Sequence, residues 1–195
     1  MNLSQVNAET TDLLARITNK KLQPEEITPL LIFLAALITI LLGVIFADTA
    51  VSYSEEQRLQ KNLDTFVPMD ENLQHLTQLM IGGVDWHHVY INPADWLLLT
   101  APLSYSERLL IMGLGYEMSS ADGTIDPREI IYLQEVGSRL GISLHQLSVL
   151  EEMVKGKTSS DPTALDEVKA LLAPDQFQEL DPAFVQVATH ILKRL

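Results

Sequence analysis

Between Glu26 and Asp48 the chain runs ITPLLIFLAALITILLGVIFA without a single charge. A stretch of that length meets the usual requirement of about 18–20 apolar residues for crossing a bilayer. It equally suits a helix enclosed at the centre of a bundle, which is hydrophobic all round. Lys20 and Lys21 offer a basic flank on one side, but no aromatic belt closely brackets the run. The chain must therefore fold around this segment or hang from it in a membrane.

The segment ends at the first copy of an acidic repeat. Ala47-Asp48-Thr49-Ala50-Val51-Ser52-Tyr53-Ser54-Glu55 aligns with Ala121-Asp122-Gly123-Thr124-Ile125-Asp126-Pro127-Arg128-Glu129. The shared pattern is A-D-x-x-[V/I]-[S/D]-x-x-E, with Leu59-Gln60 matching Leu133-Gln134 further on. In both copies an apolar helical stretch precedes the turn and a helical stretch follows it. Recurrence in one helix-turn-helix context reads as an internal duplication.

The local chemistry suits a tight turn. Gly123 tolerates the left-handed conformation that ends a helix, and Ile125 points back to the core. Asp126 is a natural N-cap, Pro127 fits the first helical position, and Glu129 sits where a capping box needs it. Ser52 and Glu55 make the same pairing in the first copy. Capping explains those four residues but leaves Asp48 and Asp122 without a role beyond local turn hydrogen bonds. If a pseudo-two-fold brings the turns together, Asp48, Glu55, Asp122 and Glu129 form one carboxylate cluster. Such clusters take Ca²⁺, Mg²⁺ or Mn²⁺, or a basic partner. An EF-hand is excluded, because counting from Asp122 places Pro127 where glycine is needed and Leu133 where a bidentate Glu is needed.

The rest of the chain reads as helices. Periodicity and punctuation predict helices near 8–19, 28–47, 52–66 and 70–81, the last broken by Gly82-Gly83. Residues 83–93 read as a long ordered loop of extended character, anchored on the bundle by the two tryptophans. A short helix follows Pro93. Ser104 and Glu107 form a capping box opening a helix to about 120, and helices at 126–140 and 143–154 follow, with Gly141 between them as a stop. Residues 155–163 read as a linker or loop. Of the helical pieces beyond it, the last is capped by Asp181 and carries Phe184, Val187 and Ile191 on one face that must dock on something.

Composition narrows the function. Acids outnumber bases 26 to 13, for a net charge of −13. That balance argues against nucleic acid, whose phosphates need clustered Lys and Arg, and against anionic lipid. It favours cations or a basic protein partner. With no cysteine there is no disulfide framework, thiol catalysis or cysteine zinc site. No Ser/His/Asp order, phosphate loop or dinucleotide fingerprint is present. His87 and His88, with Asp85 and Asp95 nearby in sequence, are a weaker metal candidate; the simpler reading leaves both histidines solvated.

The segment LLIMGLGYEMSSADGTIDPREIIYLQEVGSRLGISLHQLSVLE resembles the TerB-like family. That family includes the tellurite-resistance TerB proteins and the N-terminal domain of the DjlA co-chaperones. The likeness rests on A-D-G-x-[I/V]-D-x-x-E followed by a helix and an L-G-[I/L]-S turn, here Leu140-Gly141-Ile142-Ser143, and it covers about 28–155. It implies an all-α compact bundle of about seven helices from two pseudo-symmetric halves, here with extra C-terminal helices. The domain plan is then a polar helical extension at 1–26, the TerB-like domain at 27–155, and a linker with a C-terminal helical extension at 156–195. The family's proposed divalent-cation site falls on Asp122, Asp126 and Glu129, and on Asp48 and Glu55 in a first half where Thr49 replaces Gly and Ser52 replaces Asp. The likeness also places 27–47 as a core helix, because its end is in register with the helix before Asp122.

The expectation is a non-enzymatic interaction or scaffold module, linked to stress response or a membrane-associated complex. A divalent cation is its only candidate cofactor. Its location would be cytoplasmic or peripheral to a membrane. The alternative is a single-pass membrane protein with 27–47 spanning and an acidic soluble domain.

Overall fold

Thr28 opens the apolar helix by accepting the Leu31 amide on its hydroxyl at 3.2 Å, and Pro29 occupies the first helical position. In the computed structural model, which describes residues 1–47, 53–67 and 70–195, this helix runs Pro29–Ala47. Every residue from Leu31 to Ile45 is buried. The one polar side chain in that stretch, Thr39, is satisfied by the Ala35 carbonyl at 2.7 Å. By length and hydropathy the helix would cross a membrane, yet protein surrounds it.

Ten α-helices and no strand are present among the described residues. In chain order they are α1 (Ala8–Thr18), α2 (Pro29–Ala47), α3 (Tyr53–Phe66), α4 (Glu71–Trp86) and α5 (Pro93–Thr100). They continue with α6 (Tyr105–Met118), α7 (Pro127–Arg139), α8 (Leu144–Val154), α9 (Pro162–Leu171) and α10 (Pro182–Leu192). Helix α2 is the hub, packed against α4, α5, α6 and α7. Helix α6 is the second buried rod, with Arg108 its only half-exposed residue after the first. Its Gly113 and Gly115 give room to Ile191 and Leu133, since a Cβ on either would come within 2.7 or 2.6 Å of those side chains. Helix α3 lies on α6 as well as on α2, while α7 lies on both rods, so the two helix-turn-helix units interlock.

Three sequence expectations need correcting. Gly82-Gly83 does not break α4, which continues to Trp86. A Cβ on Gly83 would sit 1.8 Å from the Ile17 carbonyl oxygen, so the glycine is there to let α1 and α4 touch. The 83–93 stretch is accordingly not an extended loop. His88 turns the chain at φ 50, a 3-10 turn spans Val89–Ile91, and Asn92 caps α5 by accepting the Ala94 amide. Nor do both tryptophans anchor it. Trp96 is 2% exposed, but Trp86 is 81% exposed, and buried Val89 with Tyr90 stacked on Phe46 holds the segment instead.

The C-terminal helices complete the same hydrophobic core. Phe184 of α10 lies 4.4 Å from Phe33 and 5.2 Å from Phe66, ring to ring, and Phe33 is 5.1 Å from Phe66. The 155–163 stretch is a turn in which Ser160 donates its amide and hydroxyl to the Glu152 carboxylate. Asp161 then caps α9. An ionic clamp reinforces α10: Glu117, buried on α6, meets Arg194 at 2.5 Å and His190 at 3.1 Å.

Candidate functional site: an acidic cleft beside the Asp122–Glu129 turn

The second acidic turn forms as its residues dictate. Gly123 takes φ 87, and the Asp122 carboxylate accepts the Thr124 amide at 2.9 Å and hydroxyl at 2.8 Å. Asp126 caps α7, accepting the Arg128 amide at 2.7 Å and its guanidinium at 2.8 and 3.0 Å. Glu129 reaches back to the Asp126 amide at 3.3 Å, which closes the capping box. Hydrogen bonds donated by Arg128, first from its side chain and then from its backbone, hold the Asp126 carboxyl down at about 2.

That depression has a sign. A carboxyl ionised more readily in the folded state stabilises it above the unfolded value near 3.8, and this contribution fades as pH falls toward 2. Asp126→Asn, which keeps an N-cap oxygen, should therefore flatten the loss of stability between about pH 4 and pH 2. Urea unfolding across that range checks it; an unchanged slope would mean that the Arg128 contact does not form.

Glu55 enters from the other half of the molecule. It lies in the first turn of α3, is 6% exposed, and shares one cleft with Asp122, Asp126 and Glu129, itself 4% exposed. The cleft measures about 210 Å³ and is completed by Ser119, Thr124 and Ile125 among others. Four of the five carboxylates singled out by the sequence thus line one concavity. The fifth, Asp48, and the Ser52 cap of the first copy lie outside the described residues. Among the described residues no three His, Asp or Glu side chains are already arranged as metal ligands. Asp122, Asp126 and Glu129 each spend at least one oxygen on the turn itself. An ion or a cationic side chain entering this cleft would have to share them.

The loop candidate looks different. His88 Nδ1 lies 3.2 Å from the Tyr90 hydroxyl, and Asp95 is committed to Arg16 at 2.6 Å. The structure therefore does not assemble Asp95 with the histidines.

The profile of the family described as Tellurite resistance protein TerB matches residues 34–152, from within α2 to within α8. The chain belongs to the TerB family. The match takes in both helix-turn-helix units and the whole acidic cleft, and leaves α1, α9 and α10 outside it. TerB is an all-α fold, as found here, and the family is generally not enzymatic. No curated protein and no solved structure gives a significant match.

The sequence missed the Glu117–Arg194–His190 clamp. Glu117 lies next to Met118 in an apolar helix, and its partners are on α10 (His190) and just past its end (Arg194). An acid at a buried helical position was the available signal, since such a group needs a partner.

Proposed function

We propose that this TerB chain is a non-enzymatic interaction module whose acidic cleft takes a divalent cation. It would work as a scaffold in a cytoplasmic stress-response complex or one at the membrane periphery. One observation carries the reading: Glu55 of α3 and Glu129 of α7, both more than nine-tenths buried, line a single cleft with Asp122 and Asp126. Capping accounts for Glu129 and Asp126 within their own helix, but not for the meeting of carboxylates from two separate units. Oxygen-only ligands favour Ca²⁺, Mg²⁺ or Mn²⁺ over softer ions. The enclosure of α2 supports this module over a single-pass membrane protein, because moving α2 into lipid would strip α4, α5, α6 and α7 of their shared partner.

Melting temperature followed against added Ca²⁺, Mg²⁺, Mn²⁺ and Zn²⁺ tests the reading. An ion at a hundred times its Kd stabilises by about 2.7 kcal/mol, which is roughly 5–10 °C for a chain of this size. The shift should be lost in Asp122→Asn/Glu129→Gln, a pair in which Gln can still serve the capping box. No shift in the native protein, or an equal shift in the variant, would sink the cation site.

A further inference from the structure

A second concavity lies away from the acidic cleft, where the starts of α2, α4 and α10 converge. It measures about 660 Å³. Its apolar wall carries Leu30 from α2, Leu73 and Leu76 from α4, and Leu180 from the turn before α10, all half-buried. The α2 and α10 segments fall outside the TerB match, so the groove exists only because the parts of the chain flanking the family domain fold onto it.

Its charge is lopsided. Glu26, Asp70, Glu179 and Asp181 line it against a single Lys, Lys20, which is paired with Glu26 at 3.4 Å. Asp70 and Asp181 cap their helices through the amides of Leu73 and Ala183. Neither they nor Glu179 make an ion pair among the described residues. Each of the three helix N-termini contributes only about half a positive charge, so the groove stays negative by more than a unit. His75 also lies in the lining and is exposed. Leucines under a net-negative rim repel anionic lipid and nucleic acid, and they complement a surface that is apolar on one side and cationic on the other.

We propose that this groove docks a basic amphipathic helix of a partner protein, with leucine-like anchors on Leu30, Leu73, Leu76 and Leu180. Lys or Arg side chains at its edges pair with Asp70, Glu179 and Asp181. Helix-in-groove recognition uses apolar anchors at i, i+3 or i+4, and i+7, and the charges set orientation and salt sensitivity.

The probe is a fluorescent amphipathic peptide built only of leucine and lysine, followed by anisotropy with the full chain in the presence of chelator. Chelator keeps the result independent of any cation in the acidic cleft. Saturable binding is expected, weakened about tenfold or more in Asp70→Asn/Glu179→Gln/Asp181→Asn, whose asparagines still cap both helices. Leu73→Gln should weaken it similarly. A control that removes the same number of charges elsewhere, Glu9→Gln/Asp12→Asn/Asp166→Asn, should stay within about twofold, and melting curves confirm that all variants fold. Equal weakening in the control would reduce the effect to general attraction by an acidic protein and overturn the proposal. Equal binding of a leucine/glutamate peptide, or indifference to the groove variants, overturns it as well. So does a dimer that only the groove variants dissociate, since the occupant would then be a second copy of the chain.

Discussion

Phe33→Ala is expected to cost about 3–5 kcal/mol, the range for emptying a large aromatic site in a close-packed core. That corresponds to a fall of roughly 6–20 °C in melting temperature for a chain of this size. Phe33 is fully buried on α2 with its ring tilted against those of Phe66 and Phe184, so the cavity would open where three distant segments meet. The same substitution separates the two homes of the apolar segment. If α2 lay in lipid, its phenylalanine would not hold α3 and α10 together, and the unfolding of the rest of the chain would not change. Differential scanning calorimetry of the two proteins decides between these outcomes.

Arg194→Ala is expected to destabilise the chain less, and for a different reason. Glu117 is 2% exposed, and removing the guanidinium leaves its charge buried with only His190 beside it. Breaking a buried pair from one side costs about 3–5 kcal/mol. Because the Arg194 side chain is itself 35% exposed, about 2 kcal/mol is the better expectation here. Amide exchange should locate the loss in α10. Arg194→Met, which keeps the packing of the stem, should lose almost as much if charge is the cause and little if packing is. Unchanged exchange in α10 would mean that Phe184 and Ile191 hold the helix without the clamp.

Local rules carried the sequence reading far. Ser104 with Glu107, and Asp126 with Glu129, close capping boxes where their spacing predicts, and Gly123 and Gly141 take positive φ at helix ends. The apolar stretch is a core helix because α4, α5, α6 and α7 pack around it and bury every residue from Leu31 to Ile45. The misreadings share one cause. Gly83 looks like a helix breaker until the Ile17 carbonyl is seen against it, a contact with α1 that no local pattern encodes. Trp86 and Trp96 each follow an Asp, and both are large apolar residues that could meet the core, yet only the second does. The clamp on Glu117 and the leucine groove were illegible for the same reason, since each joins segments far apart in the chain. Within the acidic cleft, the second turn was legible almost atom by atom. The arrival of Glu55 beside it depended on α3 packing against α6, a contact between segments far apart in the chain.

The central claim is that carboxylates from both halves serve one cation, and paramagnetic broadening by Mn²⁺ in amide spectra tests it most directly. At substoichiometric Mn²⁺ the amides around Glu55 and those from Ser119 to Glu129 should disappear together, and Glu55→Gln should abolish both effects. Broadening confined to one turn, or spread over the acidic surface without preference for the cleft, would contradict it.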